Sequence, residues 1–147
     1  VGLEKARELC LAQGARRVIP LKVSGPFHSK IMEPARLELE CELEKVNFRT
    51  PSIPQVMNVD GKVSRSGARI KESLGRQISG PIRWEDCVRE MWKSGACVFL
   101  QAGPGRALTG LIREIQPEAE TLALDGNTPV DDVLRFVREV LQNEDEG

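Results

Sequence analysis

The chain carries a single histidine, within Val23-Ser24-Gly25-Pro26-Phe27-His28-Ser29. An apolar run from Val18 to Val23 leads through Gly25-Pro26 to His28, just ahead of a helical pattern. Imidazole is the side chain best suited to take and return a proton near neutral pH. A lone histidine is also compatible with a surface or core role, so its surroundings decide. Gln77 follows Arg76 at a predicted helix end, before the Gly80-Pro81 break. An amide residue can hold a histidine through its ring N–H or backbone, as the third group of a triad does. An exposed glutamine is the plainer reading of the residue taken by itself. A nucleophile is missing: no Gly-x-Ser-x-Gly occurs in the sequence. Cys10, Cys41, Cys87 and Cys97 fall in no motif that marks a reactive thiol.

Three further groupings have both a chemical and a structural reading. Gly103-Pro104-Gly105 follows a predicted strand and precedes a helix, where backbone amides can cradle phosphate; two glycines also suit a tight turn, and that reading is preferred. Asn58 and Asp60 close another strand, where turn chemistry is the simpler account. Arg16, Arg17 and Lys22 form a small basic edge, able to meet phosphates or an acidic protein or to stand solvated.

Positioning these residues requires elements that the pattern supplies. Helices are predicted over 3–13, 28–46, 68–78, 84–93, 106–115 and from Thr128-Pro129 to about Leu141, the last with Thr128 as N-cap and Pro129 at the first helical position. Strands are predicted over 17–23, 53–59, 96–101 and 121–124, with Asp60-Gly61 as a tight turn. Alternating strands and helices imply an α/β layer structure with a mainly parallel sheet. With 21 Lys+Arg against 22 Asp+Glu, and no Tyr, neither bulk charge nor aromatic stacking points to nucleic acid. No run spans a membrane. One histidine and no Cys-x-x-Cys argue against a metal site, and four scattered thiols read as reduced core residues of a cytoplasmic protein. The chain opens on Val1 almost directly in a helical pattern, so an N-terminal truncation is expected.

Taken together, five segments resemble, in order, the C-terminal half of the malonyl-CoA:acyl-carrier-protein transacylase family. They are Val23-Ser24-x-Pro26-x-His28; Met32-x-Pro34-Ala35; Pro54-x-Val56-x-Asn58-Val59-Asp60; Arg76-Gln77 with Pro81-x-x-Trp84; and Gly103-Pro104-Gly105 with Leu108-Thr109-Gly110-Leu111. The resemblance implies an α/β-hydrolase-like large domain over residues 26–147, preceded by the tail of a ferredoxin-like small subdomain over residues 1–25.

It further implies ping-pong transfer of a malonyl group from malonyl-CoA, through a serine acyl-enzyme, to the phosphopantetheine thiol of acyl carrier protein in fatty acid synthesis. His28 would be the general base and acid, and Gln77 would hold it through its backbone. Phe27, Asn58 and Arg17 are the substrate-binding candidates; a phenyl ring at 27 would crowd an α-methyl group and favour malonyl over methylmalonyl. No cofactor is implied, since coenzyme A enters as part of the substrate. The serine, the oxyanion hole and the carboxylate-pairing arginine belong to the family's other half, which would be the chain's first partner. Alone, the chain is expected to be inactive and poorly soluble. Two alternatives stand beside this reading: a non-catalytic module that binds a carrier protein through Arg16, Arg17 and Lys22, and an acyltransferase domain of a polyketide synthase.

Overall fold

The computed structural model describes residues 2–20 and 22–145. Helix α1 (Gly2–Ala12) leads to a loop and a 3-10 turn (Lys30–Met32), which runs into α2 (Glu33–Glu44). Strands β1 (Gln55–Met57) and β2 (Lys62–Ser64) precede α3 (Gly67–Gln77) and α4 (Trp84–Lys93). Then come β3 (Val98–Ala102), α5 (Ala107–Ile115), β4 (Glu120–Leu124) and α6 (Val130–Asp145).

The fold is α/β, with two small sheets among the described residues. β3 and β4 pair in parallel, with Phe99 opposite Thr121 and Gln101 opposite Ala123. β1 and β2 pair antiparallel, with Val56 opposite Val63. The expectation of a mainly parallel sheet therefore holds for one pair and fails for the other. The cause is local: Asp60-Gly61 reverses the chain tightly. Gly61 takes φ +67, its N–H reaches the Met57 carbonyl at 2.8 Å, and Asp60 Oδ1 accepts the Lys62 N–H. Asp60 and Gly61 follow the turn reading; the returning strand β2 was not predicted.

The core lies where α4 and α5 meet the parallel pair. Val88, Phe99, Ile112 and Ala119 are buried, with Trp84, Met91, Trp92, Ala96 and Ile115 packed against them. α4 forms because Cys87, Val88 and Met91 recur at helical spacing on its inner face, with Glu85 and Asp86 in its first turn complementing the helix dipole.

Several expectations are corrected. Residues 17–20, 22 and 23 form no strand; Leu21 lies outside the described residues. A strand needs a ladder partner, Pro20 cannot donate, and among the described residues no strand pairs with this segment. The second helix begins at Glu33, placing Pro34 in its first turn. The last helix begins at Val130, past Pro129, and the Thr128 hydroxyl lies within hydrogen-bond distance of the Ala123 carbonyl and the Asp125 carboxylate. β3 is buried on one face only: Phe99 is inside, while Leu100, next in the pleat, is 52% exposed. Of the four cysteines only Cys87 is a core residue; Cys10, Cys41 and Cys97 are exposed and unbridged.

Candidate functional site

Helix α3 places the first half of the site. Ser66 caps its start by accepting the Arg69 N–H, and the helix ends at Gln77. The last carbonyls of any helix lack intrahelical partners. Here the Gln77 and Ile78 carbonyls find theirs in one residue 49 positions upstream. The His28 N–H donates to the Ile78 carbonyl at 3.0 Å, and His28 Nδ1 lies 2.9 Å from the Gln77 carbonyl oxygen.

A carbonyl oxygen only accepts, so Nδ1 carries the hydrogen of this bond. In the neutral ring Nε2 is then the free acceptor, the tautomer a general base requires. His28 is solvent-exposed, so this nitrogen is reachable.

The backbone at His28 is left-handed, φ +61, and it is the only non-glycine described residue with positive φ. Such a conformation costs free energy and persists only where surrounding contacts dictate it. The two bonds to α3 supply that constraint. A third comes from Ser29, whose hydroxyl donates to the Pro26 carbonyl at 2.6 Å and closes the loop. Beyond the clamp, the Gly80 N–H returns to the Arg76 carbonyl at 2.9 Å. A side chain at Gly80 would bring its Cβ to 2.8 Å from that carbonyl oxygen and 3.1 Å from Val59 Cγ2, so this turn admits only glycine without movement.

The turn borders a cleft of about 460 Å³ lined by Glu33, Arg36, Arg76, Ser79 and Arg83 among others. Its charges are matched locally: Arg36 pairs with Glu33 and Glu40, Arg76 with Glu72, and Arg83 with Asp86. The Arg36 hydrogen bond, with a smaller contribution from the Ser79 hydroxyl, holds the Glu33 carboxyl below its ordinary value. Cys87 moves the opposite way. Burial, then the charges of Asp86 and Asp60, push its thiol up, so it stays protonated and unreactive. No cluster of three metal-ligating side chains occurs among the described residues.

No protein-family model matches the sequence. The malonyl CoA-acyl carrier protein transacylase of Bacillus subtilis is 34% identical over 142 residues, which is 97% of this chain and 45% of that protein. A crystal structure of the malonyl CoA-acyl carrier protein transacylase from Clostridium perfringens superposes with a TM-score of 0.90 at 31% identity, covering 99% of this chain and 46% of that one. A malonyl-transacylase solved in complex with its type II PKS acyl-carrier protein matches with a TM-score of 0.79 at 39% identity, over 84% of this chain and 40% of that chain.

Over the residues it spans, this chain is similar to malonyl CoA-acyl carrier protein transacylases in both sequence and fold. It spans less than half the length of these transacylases.

Among the residues singled out from the sequence, the fold joins His28 to Gln77. Phe27 is half exposed, and its ring sits 3.3 Å from where a Cβ on Gly25 would lie. Asn58 caps the neighbouring turn: its carbonyl accepts the Arg83 N–H at 2.8 Å, and its side-chain oxygen lies 3.7 Å from Cys87 Sγ. Arg17 is exposed and forms no ion pair among the described residues. Neither Asn58 nor Arg17 hydrogen-bonds to the histidine clamp.

Gly103 and Gly105 both have positive φ. Between them and α5 the Gln101 side chain donates to the Gly105 carbonyl and accepts the Thr109 N–H. An amide a phosphate would need is thus already occupied, which supports the turn reading. Sequence reasoning read Gly80 only as a helix break and missed Ile78, Ser29 and Gln101. Serine three residues after proline carried a turn signal; Ile78 and Gln101 carried none.

Proposed function

We propose that this chain provides the histidine half of a malonyl transacylase active site. The supporting observation is the clamp at His28, a strained backbone with Nδ1 committed to the Gln77 carbonyl and Nε2 open to solvent. In this reading a serine outside the given sequence attacks the malonyl-CoA thioester while Nε2 of His28 takes its proton. The tetrahedral intermediate collapses to a malonyl-serine ester, and His28 returns the proton to the coenzyme A sulfur. In the second half-reaction Nε2 takes the proton of a carrier protein's phosphopantetheine thiol, which attacks the ester, and His28 reprotonates the serine. Gln77 is the orienting residue through its carbonyl. Phe27, Asn58 and Arg17 are substrate-side residues, Phe27 favouring the unbranched malonyl group.

No resident cofactor enters these steps. Residues 26–147 would form the C-terminal half of a hydrolase-like large domain, and residues 1–25 the tail of the small subdomain. A cytoplasmic setting suits the free thiols. No described helix is long and apolar enough to cross a membrane. The carrier protein is proposed to meet the exposed edge of Arg16, Arg17 and Lys22; the partner in the neighbouring complex is a polyketide carrier protein, so a polyketide role remains the alternative to fatty acid synthesis.

The test is a chimera in which this chain replaces the matching segment of the Bacillus subtilis transacylase. Malonyl transfer from malonyl-CoA to holo carrier protein is expected. His28→Ala should lower the rate about 10²–10⁴-fold, the usual worth of a positioned general base. A folded chimera whose rate is unchanged by His28→Ala would refute the reading.

A further inference from the structure

The two parts of the clamp arrive along different helices. The His28 loop runs into α2, while α3 ends on the Gln77 and Ile78 carbonyls. These helices pack antiparallel in one register. Gly67 abuts the Phe48 carbonyl, Lys71 Nζ pairs with Glu44 Oε2 at 2.8 Å, and Gly75 lies against Glu40. Each step of one helical turn along α3 is thus matched by a step back along the other segment.

Gly75 is the contact nearest the clamp, and it is buried. A Cβ there would come to 2.8 Å from Glu40 Cγ and 2.9 Å from Glu40 Oε1, inside van der Waals separation. Glu40 is not free to swing aside. Arg36 Nη1 donates to its Oε1 at 2.6 Å, and the Arg36 Nε donates to Glu33 at 2.9 Å. Glycine within a helix is destabilising relative to alanine, and Gly75 has no positive φ that would require it. The close approach of α2 explains it.

We propose that Gly75 is a positioning residue for His28. By admitting Glu40 it sets the distance between α2 and α3, and so keeps the Gln77 and Ile78 carbonyls within reach of the histidine. The margin is small: a displacement of about 0.5 Å takes a bond of 2.9 Å out of the usual range of about 2.7–3.2 Å. The kinetic consequence rests on the transacylase reading; the packing does not.

The test uses the Bacillus subtilis chimera, labelled with nitrogen-15 at histidine, in which the His28 signals are those absent from His28→Ala. Gly75→Ala is expected to displace these ring signals. It should also lower kcat about tenfold or more with KM for malonyl-CoA within about twofold, since slight misplacement of a catalytic group costs rate more than binding. Gly75→Ala/Glu40→Ala removes the Cγ that the new methyl group meets and should restore both. Gly75→Ala/Glu40→Gln keeps that carbon and should restore neither, which separates bulk from charge. If Gly75→Ala does not fold, the same pair decides: Glu40→Ala should recover a folded chimera with native ring signals, and Glu40→Gln should not. Unmoved ring signals in Gly75→Ala, or rescue by both Glu40 changes or by neither, would overturn the proposal. Displaced ring signals in a chimera whose rate is indifferent to His28→Ala would uphold the positioning and refute the transacylase reading alone.

Discussion

Because Nδ1 of His28 meets a main-chain oxygen, changing the side chain at position 77 leaves the bond's acceptor in place. Gln77→Ala in the chimera is therefore expected to cost less than tenfold in kcat, against the far larger loss for His28→Ala. Comparable losses for the two would show that the glutamine amide itself takes part. His28 is also the sole imidazole, so its ring nitrogens give one unambiguous pair of NMR signals. A protonated Nδ1 and an unprotonated Nε2 are expected in the neutral ring. A second residue-scale prediction concerns Asp125. Arg106 first, then the Asn127 N–H and the Thr128 hydroxyl, hold its carboxyl below the ordinary value. A depressed folded value adds stability that is fully present above the unfolded value of about 3.9 and is lost as pH falls through the folded one. Denaturation at stepped pH should show the native chain losing stability relative to Asp125→Asn across that window. Parallel curves would remove the assigned role.

At the scale of elements, the clamp depends on how α3 ends. Its terminal carbonyls must project toward the loop at His28, and the turn through Gly80 fixes their direction. Gly80→Ala would place a methyl group 2.8 Å from the Arg76 carbonyl oxygen, a contact relieved only by backbone movement. A loss of about 1–3 kcal/mol of stability is expected, with displaced His28 ring signals, because the same movement shifts the Gln77 and Ile78 carbonyls. A fall in stability with unmoved ring signals would separate the turn from the clamp. The elements themselves were largely legible in the sequence. α4 matches its predicted span, α3, α5 and β4 match within one residue and β3 within two, since each carries a strong apolar period or sharp turn signals. β2 was not legible: three residues, Lys62–Ser64, are too short to show alternation. The segment 17–23 read as a strand because apolar composition does not reveal whether a pairing partner exists. Within the site, His28 and Gln77 were legible as types in a family pattern. Ile78 was not, since any residue supplies a carbonyl.

On the scale of the whole molecule, surface area is the governing quantity. A compact monomer of 16.3 kDa exposes about 7,500 Å². This chain exposes 11,243 Å². Part of the excess is apolar: Leu100 on the open face of β3, Leu108 and Leu111 on α5, and Leu3, Leu9 and Leu11 along α1, none of whose residues is buried. The parallel pair β3–β4 has both outer edges free among the described residues, and parallel strands are rarely stable with a face uncovered. The chain matches less than half of the Bacillus subtilis and Clostridium perfringens transacylases, and on the proposed reading the remaining half of such a protein would cover these surfaces. Sedimentation of the isolated chain over a tenfold concentration range should therefore show self-association, with strong binding of a dye that reports exposed apolar surface. Joined to the complementary segment of the Bacillus subtilis relative, it should sediment as a single compact species that no longer binds the dye. Leu100→Lys gives the sharper arm: on an open face it should reduce self-association of the isolated chain, yet in the chimera it would bury a charge and cost about 3 kcal/mol or more. An isolated chain that is monomeric and dye-silent, or a chimera indifferent to Leu100→Lys, would show that this face is solvent-facing in the assembled protein as well.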